Sequence, residues 1–130
     1  MIEQAIIIRA IALTIFWEAA GESLEGRMAV ASVIWNRAGG EFAACKAVCE
    51  KPGAFSCWNR KRMNVPNDGP SRKAWRECRG IAERMADGKF VPTIAATHYH
   101  NLGTTPYWAA GMKHLKTIGR HKFYREGSKG

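Results

Sequence analysis

The pattern of apolar and polar positions predicts a long first helix from Ile2 to about Ala20. Apolar residues occupy nearly every side of this stretch, which is typical of a helix at the centre of a small domain. Glu3 and Arg9 interrupt the run and no small-residue cleavage site follows it. We therefore expect a buried helix here, and neither a signal peptide nor a membrane anchor.

Two further helices are predicted from their start signals and apolar stripes. Ser23 is the predicted N-cap of the second helix, and Ser71 is the predicted cap of a third helix that extends to Asp87. The inward stripes are Leu24, Met28, Ala31 and Trp35 in the second helix, and Ala74, Cys78, Ile81 and Met85 in the third, with Trp75 and Ala82 flanking the latter.

The remaining segments are short. A short helix is predicted over roughly 42–49, and "AFSCW" is a brief strand candidate. In the C-terminal half, "AATHYHN", "PYWAA" and "GRHKFYR" have the β-branched or aromatic character of strands. Helices first and strands later predict an α+β fold, a helical core with a small antiparallel sheet formed mainly by the C-terminal half, in a single domain over residues 1–130.

Net charge narrows the choice of partners. The chain has 20 Lys and Arg residues against 11 Asp and Glu, a formal charge of +9. Such an excess attracts polyanions, which include nucleic acids, anionic membranes and the acidic polymers of a bacterial wall. No RNA-binding or helix-turn-helix signal is present, so specific nucleic-acid binding is the less favoured interpretation.

The four cysteines leave two interpretations open. Cys45, Cys49, Cys57 and Cys78 have spacings that match no zinc-finger or thioredoxin pattern. In an oxidising compartment they can form two disulfides with three alternative pairings, and otherwise they can pack as free buried thiols.

The candidate chemistry begins with two glutamates in "FWEAAGESLEG". Glu18 ends the first predicted helix beside Phe16 and Trp17, where poor solvation disfavours a charged carboxylate, as a general acid requires. Glu22 follows after Gly21. Spacing by itself favours the simpler interpretation, in which each glutamate lies at a helix end with its carboxylate in water.

Two histidines provide a rival site. His98 and His100 alternate with Tyr99 in "THYHN", so a strand would place both on one face. Two such histidines can bind zinc, bind a substrate or lie half-exposed. No HExxH or comparable spacing supplies a third ligand, so we expect no metal and no cofactor.

Aromatic and basic residues also alternate along the chain, in "CWNRKR", "PYW" and "GRHKFYR". Such surfaces suit sugar rings, and they also suit single-stranded nucleic acid, whose bases stack on aromatic rings. A non-catalytic module that binds the wall or nucleic acid is therefore a further alternative.

The order of motifs resembles the spore-cortex-lytic family of bacterial and phage cell-wall hydrolases, from about Ala12 to Arg125. The motifs that carry the resemblance are "WEAAGES", "EGRMAVASVIWNR", "PGAFSCW", "ATHYHN", "PYW" and "IGRHKFYR". Two positions depart from the family pattern, because Trp17 stands where the family usually has Gly and Ala20 where it usually has Arg.

The resemblance implies a lysozyme-like domain that cleaves peptidoglycan between N-acetylmuramic acid and N-acetylglucosamine. It places the catalytic acid at Glu18, with Glu22 as a supporting or structural carboxylate. The residues expected to line the sugar groove are Phe55, Ser56, Tyr99, His100, Asn101 and Trp108. We further expect a monomeric phage endolysin, made in the host cytoplasm without a signal peptide and without stable membrane insertion, that acts on the wall.

Two mechanisms remain at this point. Hydrolysis with a carboxylate pair needs a second acid at roughly 5 to 9.5 Å, for which Glu22 and Asp68 are the candidates. A lytic transglycosylase needs one carboxyl, because the 6-hydroxyl of the substrate attacks and an anhydro-sugar forms. The absence of a clear partner for Glu18 in the sequence favours the transglycosylase.

Overall fold

The computed structural model describes residues 2–59 and 64–127, and its elements follow the predicted order of helices before strands. The helices are α1 (Ile2–Ala19), α2 (Leu24–Arg37), α3 (Cys45–Glu50) and α4 (Gly69–Ala86). The strands are β1 (His98–Asn101), β2 (Met112–Ile118) and β3 (His121–Glu126). Short 3-10 helices cover Phe42–Ala44, Ser56–Asn59 and Tyr107–Gly111. This arrangement confirms the predicted α+β fold.

The first helix is buried along its second half only. Residues from Ala10 to Phe16 are buried, whereas Ile2 and Ile6 keep 80% and 48% of their surface exposed. The prediction of a fully buried helix was therefore too broad, although α1 contacts α2, α3 and α4. No helix among the described residues is long and apolar enough to cross a membrane.

Capping side chains fix where α2 and α4 begin. The Ser23 hydroxyl accepts a hydrogen bond from the backbone N–H of Gly26 at 3.2 Å, which confirms the predicted N-cap of α2. The cap of α4 is Asp68 and not Ser71, since a carboxylate oxygen of Asp68 accepts from the Ser71 N–H at 2.8 Å. Ser71, the predicted cap, is therefore the residue whose backbone N–H donates to the true cap, Asp68.

The prediction of the inward face is more accurate for α4 than for α2. In α4, Cys78, Ile81 and Met85 are buried, as predicted. In α2 the predicted stripe is wrong at its start, because Leu24 is 57% exposed while Ala29 to Ile34 are all buried. A helix with neighbours on several sides buries more than one stripe, and α2 contacts three other helices and β1.

The sheet has the order β1-β3-β2, with both pairs antiparallel. Strand β2 was not predicted, because a register irregularity between His114 and Lys116 disrupts its alternation of buried and exposed positions. Conversely, "AFSCW" and "PYWAA" were predicted as strands and fold instead into the 3-10 helices at Ser56–Asn59 and Tyr107–Gly111.

All four cysteines are free and buried, which is the second of the two interpretations that the sequence left open. Burial raises the pKa of Cys45 to about 11, and the pKa values of Cys49 and Cys78 to about 12. Burial and the neighbouring Glu18 carboxylate also raise the pKa of Cys57. The thiols are therefore neutral and shielded at physiological pH.

We expect this burial to block thiol chemistry in the folded protein. Ellman's reagent at pH 8 should react slowly with the native chain, since both access and thiolate formation are suppressed. After unfolding in guanidinium without reductant, all four thiols should react. Fewer than four reactive thiols in the unfolded protein would show a disulfide and contradict the free-thiol structure.

Candidate active site

The Glu18 side chain lies in the last turn of α1, and its contacts with described residues include two distant parts of the chain. Its carboxylate accepts a hydrogen bond from the Tyr99 hydroxyl through one oxygen, and from the backbone N–H of Cys57 at 3.2 Å through the other. Tyr99 belongs to β1 and Cys57 to the 3-10 helix at Ser56–Asn59. The helical core and the sheet therefore meet at this carboxylate.

A second hydrogen bond holds the 3-10 helix in place. Thr14 lies four residues before Glu18, on the same face of α1. Its buried hydroxyl accepts from the Trp58 indole N–H at 2.8 Å and donates to the Ala10 carbonyl at 2.7 Å. Adjacent residues, Cys57 and Trp58, thus bind successive turns of α1, which aims the Cys57 N–H at the carboxylate.

Tyr99 is a neutral donor held by ring contacts. Its ring centroid lies 4.9 Å from that of His121, 5.5 Å from that of Phe123 and 6.2 Å from that of Phe55. Burial, and then the adjacent Glu18 carboxylate, raise the pKa of Tyr99 well above its ordinary value. The phenol therefore keeps its proton and donates it to the hydrogen bond with Glu18.

Two residues at the end of α2 position the segment that leads into β1. The Asn36 amide donates to the carbonyls of Ile94 and Ala96 at 2.9 and 2.8 Å. The Arg37 guanidinium donates to the Thr97 carbonyl at 2.6 Å, and burial lowers the pKa of Arg37. These bonds fix the start of the strand that carries Tyr99.

Two open clefts meet at Glu18. The sheet-side cleft has a volume of about 340 Å³, and its lining includes Arg37, Trp108 and residues 98–101 together with Glu18. The helix-side cleft has a volume of about 630 Å³ and is lined by Trp17, Gly21, Ser71 and residues 64–68 together with Glu18. A ligand that spans both clefts would pass over the carboxylate.

Four of the predicted groove residues, Tyr99, His100, Asn101 and Trp108, line the sheet-side cleft beside Glu18. The His100 ring stacks on Tyr124, whose hydroxyl lies 2.8 Å from Nε2, while Nδ1 donates to the Asn101 carbonyl at 2.7 Å. The Trp108 ring lies 5.8 Å from that of His100. These contacts fix the aromatic wall of the cleft.

The other two predicted groove residues have different outcomes. Phe55 is 2% exposed, so it is a core residue and not a groove wall. Its ring lies beneath Tyr99, and the Arg37 guanidinium lies 5.6 Å from its centroid. The side chain of Ser56 lies outside the described part of the structure.

Glu22 lines neither cleft. Its side chain is 11% exposed, and one oxygen accepts from the backbone N–H of Arg120 at 2.9 Å and lies 3.7 Å from Nδ1 of His121. The path of contacts from Glu22 to Glu18 runs through the His121 and Tyr99 rings. Glu22 thus fastens the turn between β2 and β3.

Asp68 lines the helix-side cleft, but its carboxylate caps α4. Hydrogen bonds from Ser71 lower the pKa of Asp68, so this carboxyl is ionised at neutral pH. A fully exposed, ionised cap differs from the half-buried Glu18 carboxyl, which has donors on both oxygens.

His98 and His100 both line the sheet-side cleft, as expected for alternate residues of a strand. The two rings lie 5.3 and 5.8 Å from the Trp108 ring. Within residues 2–59 and 64–127, no three His, Cys, Asp or Glu side chains form a group that could hold a metal ion.

Sequence reasoning missed three contributors to this site. Cys57 acts through its backbone N–H, which no residue pattern reveals. Arg37 belongs to the "WNR" end of α2, where an arginine after a buried helical run is a usable signal of a tertiary contact. The helix-side cleft with Trp17 was not anticipated, because it forms only when residues 64–68 fold against the end of α1.

A family model described as Cell Wall Hydrolase matches residues 21–124, which is most of the chain. The chain therefore belongs to the cell wall hydrolase family. Glu18 lies three residues before the matched range. Its candidacy as an active-site residue therefore depends on the geometry described above.

Individual relatives support this membership. The chain is 29% identical over 119 residues to the spore cortex-lytic enzyme of Bacillus subtilis, and it spans 36% of the length of that protein. Among solved structures, it is similar to the catalytic domain of the germination-specific lytic transglycosylase SleB of Bacillus anthracis, with a TM-score of 0.67, 25% identity and coverage of 92% of this chain and 93% of the other. The catalytic domain of Bacillus cereus SleB gives a TM-score of 0.66 and 26% identity, with coverage of 92% and 89%.

The buried His121 ring predicts an acid-sensitive stability. Burial lowers the pKa of His121, and its Nδ1 has no hydrogen-bond partner among the described residues. The unfolded chain therefore binds a proton at this histidine more readily than the folded chain does. The stability that the neutral His121 ring gives to the folded state is complete above about pH 6.5 and is lost as pH falls towards the lowered pKa. In this range the free energy of unfolding falls by up to about 1.4 kcal/mol per pH unit.

Denaturant unfolding between pH 7.5 and 5 measures this effect. We expect His121→Phe, which keeps a buried ring but cannot titrate, to lose less unfolding free energy on acidification than the parent chain. His114→Phe changes an exposed histidine and should keep the parental slope. Identical slopes for the parent and His121→Phe would refute the role of His121.

Proposed function

We propose that the chain cleaves the glycan strand of peptidoglycan between N-acetylmuramic acid and N-acetylglucosamine, with Glu18 as general acid and then general base. The observation that carries this proposal is a single carboxyl, bound by donors on both oxygens, at the junction of two open clefts. A polymeric substrate needs an open groove on both sides of the bond that breaks.

In the first step Glu18 gives its proton to the glycosidic oxygen, and the bond between that oxygen and C1 of the muramic acid breaks. The carboxyl becomes a carboxylate as the leaving sugar departs. The Tyr99 hydroxyl and the Cys57 N–H already point at its two oxygens, so they stabilise the new charge without rearranging. The carboxylate in turn lies near the positive charge that develops at C1.

In the second step the 6-hydroxyl of the same muramic acid attacks C1. The new bond between O6 and C1 closes a 1,6-anhydro ring, and Glu18 takes the hydroxyl proton back. No water and no second carboxylate take part. This route is favoured over hydrolysis because Glu22 bonds the β2–β3 turn and Asp68 caps α4.

The relatives and the charge support the choice of substrate. A spore cortex-lytic enzyme and a germination-specific lytic transglycosylase are among the proteins that the chain is similar to. The net charge of +9 favours adsorption to an anionic wall. The phage endolysin setting, with a monomer that lyses a host cell, stays a prediction.

Glu18→Gln tests the role of the carboxyl. The amide is nearly isosteric but cannot give up or take the proton, so lysis of purified peptidoglycan should fall by about 10²-fold or more while the variant stays folded at the assay temperature. Glu25→Gln is the matched control, since Glu25 is exposed and bonds Lys116 on the surface. This control should keep full activity.

Other outcomes identify the alternatives. If Glu18→Gln stays active while EDTA abolishes activity and zinc restores it, a zinc amidase using His98 and His100 replaces the proposal. If neither the parent nor Glu18→Gln degrades peptidoglycan but both bind it, the chain is a binding module.

A further inference from the structure

Trp17 is the side chain beside Glu18 that does not enter the core. It is 38% exposed, whereas Phe16 and Ala19 on the same turn of α1 are 4% and 2% exposed. Trp17 lines the helix-side cleft next to Glu18. A large aromatic ring left open in a cleft contributes little to the core and offers its surface to a ligand.

The Trp17 ring is held in place by its edges. The indole N–H donates to the Asn64 carbonyl at 3.1 Å, and the Phe16 ring meets it nearly at right angles with 5.0 Å between centroids. The first contact ties the ring to the 64–68 segment, which also lines the cleft. A ligand would therefore meet a ring that has already lost its rotational freedom.

The chemistry of the helix-side cleft matches a sugar better than an anionic ligand. The lining of the cleft includes Asn64, Asn67 and Ser71, which carry amide and hydroxyl groups, and Asp68 and Glu18, which carry carboxyl groups. A pyranose ring has apolar C–H faces and polar hydroxyl or acetamido edges, so it can use both kinds of group at once. The ionised Asp68 carboxylate disfavours a phosphate or a nucleic-acid backbone.

We propose that the helix-side cleft is a second sugar-binding subsite, in which Trp17 stacks on an N-acetylhexosamine ring across the scissile bond from the sheet-side cleft. This inference rests on the proposed function, since it assigns the substrate residue on the far side of Glu18.

Calorimetric binding to Glu18→Gln tests the subsite, because this variant should bind glycan without cleaving it. The probes are a disaccharide and a tetrasaccharide of alternating N-acetylglucosamine and N-acetylmuramic acid. The tetrasaccharide reaches both clefts, so it should bind more tightly than the disaccharide. Adding Trp17→Leu, which removes the planar face but keeps apolar bulk, should weaken tetrasaccharide binding by about tenfold, equivalent to about 1.4 kcal/mol.

Two further variants complete the binding test, one as a control and one with an intermediate expected affinity. Trp35→Leu in the same Glu18→Gln background is the matched control, since Trp35 packs on Phe90 away from both clefts and should leave tetrasaccharide affinity unchanged. Trp17→Phe keeps an aromatic face but loses the bond to Asn64, so its affinity should lie between those of the parent and Trp17→Leu.

Two results would contradict the subsite, and they differ in whether the proposed function is also overturned. If Trp17→Leu and Trp17→Phe both bind the tetrasaccharide as tightly as the Glu18→Gln background, the subsite is overturned and the proposed function stays intact. If the folded Glu18→Gln variant binds neither fragment, the proposed function is overturned as well.

Discussion

The hydrogen bonds to the Glu18 carboxylate are the constraint on which the site depends. Among the described residues, Cys57 and Tyr99 donate to it from 39 and 81 residues away in the chain. The first bond forms only when the 3-10 helix packs against the end of α1, and the second only when the sheet does. The geometry of the carboxyl is therefore a property of the assembled tertiary structure, and the contacts that hold each donor also support the site.

The second glutamate of the segment plays a parallel structural role. Glu22 accepts from the Arg120 N–H in the turn between β2 and β3. Gly119 has a φ of +56°, and a Cβ there would lie 2.3 Å from the Glu22 carboxylate, so both the backbone and the close approach require glycine. Glu18 thus ties the helices to β1 at the open clefts, and Glu22 ties them to the β-hairpin in a nearly closed environment.

Local signals predicted much of the fold. Ser23 as a cap, the apolar stripe of α4 and the strand around Tyr99 depend on residues close in sequence, and the structure has all three. The aromatic segments "AFSCW" and "PYWAA" were misassigned, because tertiary contacts decide their conformation. The bond from Trp58 to Thr14 fixes the first of them on α1, which strand propensity does not describe.

The candidate site was predictable to a similar extent. The sequence motifs grouped Glu18 with Tyr99, His100, Asn101 and Trp108, and the structure places these residues around one cleft. Their roles stay proposals. The buried position of Phe55 and the donor function of the Cys57 N–H depend on packing and on backbone atoms, which the side-chain pattern does not encode.

Mass spectrometry of peptidoglycan digested by the parent chain tests the central claim most directly. A single carboxyl that acts first as acid and then as base, with the 6-hydroxyl as nucleophile, predicts muropeptides that end in 1,6-anhydro-N-acetylmuramic acid. These products weigh less than the hydrolytic ones by one water. Products that carry reducing ends would contradict the account, since they require an activated water beside Glu18.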